Sequence, residues 1–108
     1  MNAIDFALVT TSDHEKWVRE IGFEEPLTHT ERLIAMEISY LVGQNGGRET
    51  VISASALASE ICSYRKARGF LLECARTGWL LKTARHGIGF DHYYRLAIPF
   101  AIPLEMAA

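Results

Sequence analysis

The chain has 108 residues, of which 49% are apolar, 10% aromatic and 22% charged. That is enough for one globular domain and too little for two, and it is too apolar for a disordered segment. The net charge of −2 hides a strong asymmetry: residues 1–63 carry four basic against ten acidic groups, residues 64–95 carry seven against two, and the last thirteen residues add one glutamate. The three segments therefore stand at −6, +5 and −1.

No apolar run approaches the roughly 20 residues that cross a bilayer; residues 96–104 make nine, two of them proline. Asp5, Asp13 and Glu15 stand where a secretory signal needs basic and then apolar residues, so the expected location is the cytoplasm, away from membranes. Cys62 and Cys74 cannot hold a metal alone, and His14, His29, His86 and His92 lie at no ligand spacing, so neither metal nor cofactor is expected. The two cysteines read as small buried hydrophobes, with a redox pair as the alternative. Nothing joins a nucleophile to a base, pairs carboxylates or forms a phosphate loop, and the chain is not expected to be an enzyme.

The first ten residues, apolar and without a cap or turn signal, are a strand or an arm. Ser12-x-x-Glu15 is a capping box, Trp17, Val18 and Ile21 make one apolar face, and Gly22 is a stop, which predicts a short helix over about 13–21. Residues 23–27 form a linker containing Pro26. A second capping box, Thr28-x-x-Glu31, opens an amphipathic helix bearing Leu33, Ile34, Ile38, Leu41 and Val42, and Asn45-Gly46-Gly47 ends it. Thr50-Val51-Ile52 suits a short edge strand. Ser53 caps a brief helix carrying Leu57, Ala58 and Ile61, and Ser63 caps another that runs from Tyr64 to about Arg76. Cys74, Gly78 and Trp79 fit the end of that helix as a Schellman stop. Two helices joined by so short a turn must cross steeply. Residues 79–84 and 92–98 then turn extended around a glycine-bearing loop, as in a β-hairpin. The expected class is α+β, mainly α, divided into an N-terminal arm and short helix (1–27), a central domain (28–98) and a C-terminal tail (99–108).

On a helical wheel of residues 64–76, Ala67, Phe70, Leu71 and Cys74 fall within about 100° of arc and form the core stripe. The opposite side holds Arg65, Gly69, Leu72 and Arg76, flanked by Lys66, Arg68 and Glu73. Such a face suits phosphates and guanine edges, because arginine offers a bidentate fork and lysine a point charge; solvated surface arginines are the plainer explanation. Lys82, Arg85 and Arg95, with His86 and His92, continue the charge onto the hairpin. Gly69 costs about 1 kcal/mol in mid-helix relative to alanine. Either it lets the backbone approach a groove closely, or it relieves crowding against the preceding helix.

Together these features resemble the winged helix-turn-helix superfamily, most closely its small bacterial, phage and plasmid regulators and replication proteins. The resemblance covers about residues 28–98. It lies in Ser53–Ala58 opening the first helix of the motif, Ser63-Tyr64-Arg65-Lys66 opening the second, and Thr77-Gly78-Trp79-Leu80 leading into a hairpin that ends in Tyr93-Tyr94-Arg95-Leu96. Two departures are the short turn Ile61-Cys62-Ser63, which lacks the motif's usual glycine, and the acidic N-terminal half.

The resemblance implies a winged helix with a C-terminal β-hairpin wing (about 82–95) and an extra N-terminal helix, in which helix 64–76 enters the major groove of double-stranded DNA. Ser63, Tyr64, Arg65, Lys66, Arg68 and Gly69 would face the groove, with Arg76 near a phosphate and Lys82, Arg85 and His86 on the wing. The expected function is a DNA-binding transcriptional regulator. The alternative is a winged-helix module that holds a protein partner, which exposure of Leu72 would favour. The apolar ends, residues 3–9 and 96–104, exceed what a compact winged helix needs to close its core, and they suggest a homodimer; the alternative is that they pack back on their own domain.

Overall fold

A computed structural model describes residues 2–9, 13–59, 61–85, 87 and 91–103. Its elements run β1 (Asn2–Leu8), α1 (His14–Glu24), α2 (His29–Gln44), β2 (Thr50–Ile52), α3 (Ala54–Ala58), α4 (Tyr64–Thr77), β3 (Leu80–Arg85) and β4 (His92–Pro103). The class is α+β, mainly helical, with a small antiparallel sheet of four strands. Strand β4 is its hub. It pairs with β2 through residues 92–94, with β3 through residues 92–96, and with β1 through residues 97–103.

The helix boundaries follow local chemistry. Helix α2 starts at a complete capping box, in which Thr28 Oγ1 accepts from the Glu31 N–H (3.2 Å) and Glu31 Oε1 accepts from the Thr28 N–H (2.9 Å). Ser53 and Ser63 each accept the backbone N–H three residues on, at 3.3 and 3.2 Å, and so fix the starts of α3 and α4. Helix α4 ends where Gly78 adopts φ +93°, and the N–H of Trp79 donates to the Cys74 carbonyl at 2.9 Å, the long-range bond of a Schellman stop.

Helix α1 departs from expectation at both ends. Ser12 lies outside the described residues; Asp13 occupies the cap position and makes no side-chain cap bond. Gly22 does not stop the helix, which continues to Glu24. The stop is Pro26, which disfavours helical geometry at the preceding residue, and Glu25 is accordingly extended at φ −116°, ψ 140°.

One buried cluster joins α1 (Trp17, Ile21), α2 (Ile34, Ala35, Ile38, Val42), Ile52, Leu57, α4 (Ala67, Phe70, Leu71, Cys74) and the sheet (Leu80, Tyr94, Leu96). The N-terminal helix thus shares its core with residues 28–98. Trp17, fully buried, is the clasp: its indole N–H donates to the carbonyls of Trp79 (2.8 Å) and Ala97 (3.0 Å), tying α1 to the sheet. Ser39, buried on α2, donates to the His14 carbonyl at 2.8 Å and lies 3.2 Å from His14 Nδ1.

Strand β4 does not end at Ile98. Residues 97–103 continue it and pair antiparallel with residues 2–8, from Leu8 opposite Ala97 to Asn2 opposite Pro103. The two apolar ends of the chain therefore satisfy each other's backbone within one molecule.

Candidate nucleic-acid interface

Helix α4 buries one face and leaves the other in solvent. Ala67, Phe70, Leu71 and Cys74 are buried, while Tyr64, Arg65, Lys66, Arg68, Gly69, Leu72, Glu73 and Arg76 are exposed. The wheel expectation holds residue by residue. Burial, reinforced by the carboxylates of Glu73, Glu25 and Glu31, pushes the Cys74 thiol well above its ordinary range, so this cysteine is a neutral packing group.

The cations divide into two groups. Arg76, expected near a phosphate, is held by Glu73 one turn back: Nε donates to Oε2 at 3.0 Å and Nη2 donates to Oε1. The pairing lowers the Glu73 carboxyl below the usual carboxylate range. Arg65, Lys66 and Arg68, in the first half of α4, have no ion-pair partner among the described residues. The free positive charge is therefore concentrated at the helix N-terminus, where the backbone dipole adds to it.

Gly69 sits between these cations and the Arg76–Glu73 pair. A Cβ built there meets nothing within 4 Å, so crowding against α3 is not the reason for the glycine.

The hairpin supplies a second wall. Lys82 pairs with Tyr94 across β3 and β4, two residues on from the buried Leu80 opposite Leu96, and so shares the sheet face that packs on α4. Lys82 and Arg68 both line one cleft of about 120 Å³ with Tyr64, Leu72, Asp91 and His92. After Lys82 the register shifts. Thr83 is the extra residue of a bulge, its hydroxyl donating to the Tyr93 carbonyl at 3.3 Å. Beyond the bulge, Arg85 pairs with His92 along the backbone, and Gly87 turns the chain at φ +62°. His86 and the Arg85 side chain lie outside the described parts. Arg95 is half-buried on the other face of the sheet from Tyr94, and its Nε has no hydrogen-bond partner.

Asp91 was missed as a site residue, and His92, read in the sequence only as part of the charge on the hairpin, joins it at the cleft. The His92 ring stands edge-on to Tyr94 at 6.4 Å and helps close the cleft, and Asp91 brings a carboxylate to the cleft that Arg68 and Lys82 line. Only the hairpin register brings them to α4, and no spacing in the sequence announces it.

Among the described residues, no group of three or more His, Cys, Asp or Glu is placed to hold a metal, and no helix is long and apolar enough to cross a membrane. Comparison with family models, with curated proteins and with solved structures finds no match to this chain.

Proposed function

We propose that the chain is a winged helix-turn-helix protein that binds double-stranded DNA, with the N-terminal half of α4 in the major groove and the β3–β4 hairpin as the wing, and that it regulates transcription by occupying its site. One observation carries this reading: Arg65, Lys66 and Arg68 are exposed and, among the described residues, without an ion-pair partner, on the same helix face as a glycine that packing does not require. Arginines at the start of such a helix suit guanine O6 and N7, lysines suit phosphates, and a side chain absent at Gly69 permits close backbone approach. Ser63 caps α4 and leaves its first N–H groups available to a phosphate.

The test is a mobility shift with a random duplex pool at two salt concentrations. Binding should weaken steeply between roughly 50 and 200 mM salt, with a log–log slope of about −0.9 per phosphate neutralised. Arg65→Glu should abolish it, and removing the charge of Lys66 or Lys82 should reduce the slope by about 1 each. Failure to retain any duplex at low salt would refute the proposal.

The second reading, a module for a protein partner, is favoured by Tyr64 and Leu72, which are 47% and 44% exposed on the basic face. It requires a complex of shallow salt dependence that Leu72→Ala weakens more than Lys66→Ala.

A further inference from the structure

The exposed apolar surface of this molecule is not confined to α4. Along α2, Leu33, Met36 and Tyr40 are 39%, 56% and 57% exposed, and they recur at the three- and four-residue spacing that puts them on one helix face. Phe23, at the end of α1, is 86% exposed. It lines with Met36, Val18, Leu27 and the arginines Arg19 and Arg32 a groove of about 380 Å³ between the two helices. A phenylalanine left almost wholly in water beside an exposed methionine is a contiguous apolar patch, the kind of surface that marks an interface.

The order of residues along α2 says what covers it. Arg32, Met36 and Tyr40 are all exposed and lie four residues apart, with the methionine central, a cation one turn before it and an aromatic ring one turn after. If two copies of α2 pack antiparallel about a two-fold axis at Met36, each residue a given number of places before Met36 faces the one as many places after it on the other copy. Arg32 then lies over the ring of Tyr40 of the second copy, and Tyr40 receives Arg32 of the second copy in return, two equivalent cation–π contacts. Met36 meets Met36 on the axis, and Phe23 of each copy closes the flank. A foreign partner needs no such mirror relation between one end of the stripe and the other.

The area is of the right order. Aromatic side chains offer about 150–250 Å² each, so Phe23 and Tyr40 at their observed exposure, with Met36 and Leu33, present on the order of 450 Å² of the roughly 800 Å² per partner that a standard interface buries. Arg19, Arg32 and the half-buried Glu37 supply a polar rim. The ends of the chain, which suggested self-association in the sequence, are paired with each other and are not needed for it.

We infer that the α1–α2 face is a two-fold homodimer interface centred on Met36. This holds whatever α4 binds, and it gives the assembly two copies of α4 related by the same axis. Sedimentation equilibrium of the full chain at micromolar concentrations tests it. Wild type should be a dimer whose thermal midpoint rises with concentration, and Met36→Glu a monomer with unchanged circular dichroism and a midpoint independent of concentration, because Met36 lies outside the buried core. Met36→Cys should cross-link rapidly to a disulfide dimer on oxidation, whereas Glu49→Cys, exposed at a distant turn, should not. A wild-type monomer would overturn the inference and leave the face to a different protein. So would a dimer that survives Met36→Glu, or a Met36→Cys chain that cross-links no faster than Glu49→Cys. DNA retention is read separately, so the fate of the α4 proposal does not decide this one.

Discussion

Two of the glycines inside helices, Gly43 and Gly69, make the sharpest test, because one substitution applied to both should act with opposite signs. At Gly69 an added Cβ meets nothing within 4 Å, so Gly69→Ala gains helix propensity and loses no contact. The gain is about 1 kcal/mol, part of it through a less disordered unfolded chain. For a domain near 100 residues that raises the thermal midpoint by about 4–8 °C. At Gly43 the same Cβ falls 2.8 Å from His14 Cε1 and 2.9 Å from Nε2, so the imidazole must leave its place beside Ser39. The resulting loss, about 1–2 kcal/mol from a displaced ring and a broken hydrogen bond, exceeds the propensity gain near the helix end and lowers the midpoint. Thermal unfolding by circular dichroism measures both, and His14→Ala should remove the penalty at Gly43. If the α4 backbone approaches DNA, Gly69→Ala should also weaken duplex binding, by about tenfold for a loss near 1.4 kcal/mol. A Gly69→Ala protein that is more stable and binds DNA as tightly as wild type would refute the functional reason for the glycine; one that is less stable would refute the packing argument itself.

Trp17→Phe keeps most of the buried ring but leaves the carbonyls of Trp79 and Ala97 without their shared donor, and chemical denaturation should show a loss of about 1–3 kcal/mol. Glu73→Ala should free Arg76 and strengthen duplex binding, whereas Arg76→Ala should change it less than Arg65→Ala does; gel shifts at one salt concentration compare them. The raised pKa of Cys74 gives a stabilising contribution that is complete below the unfolded thiol value of 9.0 and declines above it, as the unfolded chain ionises and the folded one does not. Urea titrations should therefore show wild type losing about 1.4 kcal/mol more than Cys74→Ala for each pH unit above that value.

Local signals made most of the helical part legible before any coordinates. Thr28 with Glu31, Ser53 and Ser63 each bond a backbone N–H three residues away, so the starts of α2, α3 and α4 are short-range events written in neighbouring residues. Gly78 ended α4 for the same reason. Gly22 misled because glycine tolerates helix as well as a stop, while Pro26 disfavours helix at the residue before it; the stricter rule decided the end of α1. What could not be read is long-range. The pairing of residues 2–8 with 97–103, the two bonds of Trp17 to carbonyls more than 60 residues away, and the bulge at Thr83 depend on which strands meet. The site divides along the same line: the exposed α4 face followed from helical periodicity, but the hairpin register brings Asp91 to the cleft and Arg76 is paired with a carboxylate one turn back.

The segregation of charge bears on how the proposed interface would discriminate. Residues 1–63 carry six net negative charges and form β1, α1, α2, β2 and α3, while seven of the eleven basic groups belong to α4 and the hairpin. A duplex approaching from the α1 side meets the exposed Glu15 and Glu24, and repulsion there costs affinity for such non-productive orientations. The same carboxylates weaken binding to DNA of any sequence, which rests on phosphate neutralisation alone, and leave the complex dependent on base-edge contacts from the first turns of α4. Neutralising Glu15, exposed at the start of α1 and not part of α4, should therefore raise affinity for random duplex more than for a selected site and narrow the ratio between them. Equal gains on both would mean that the acidic half plays no part in discrimination, and that specificity resides wholly in Arg65, Arg68 and their neighbours.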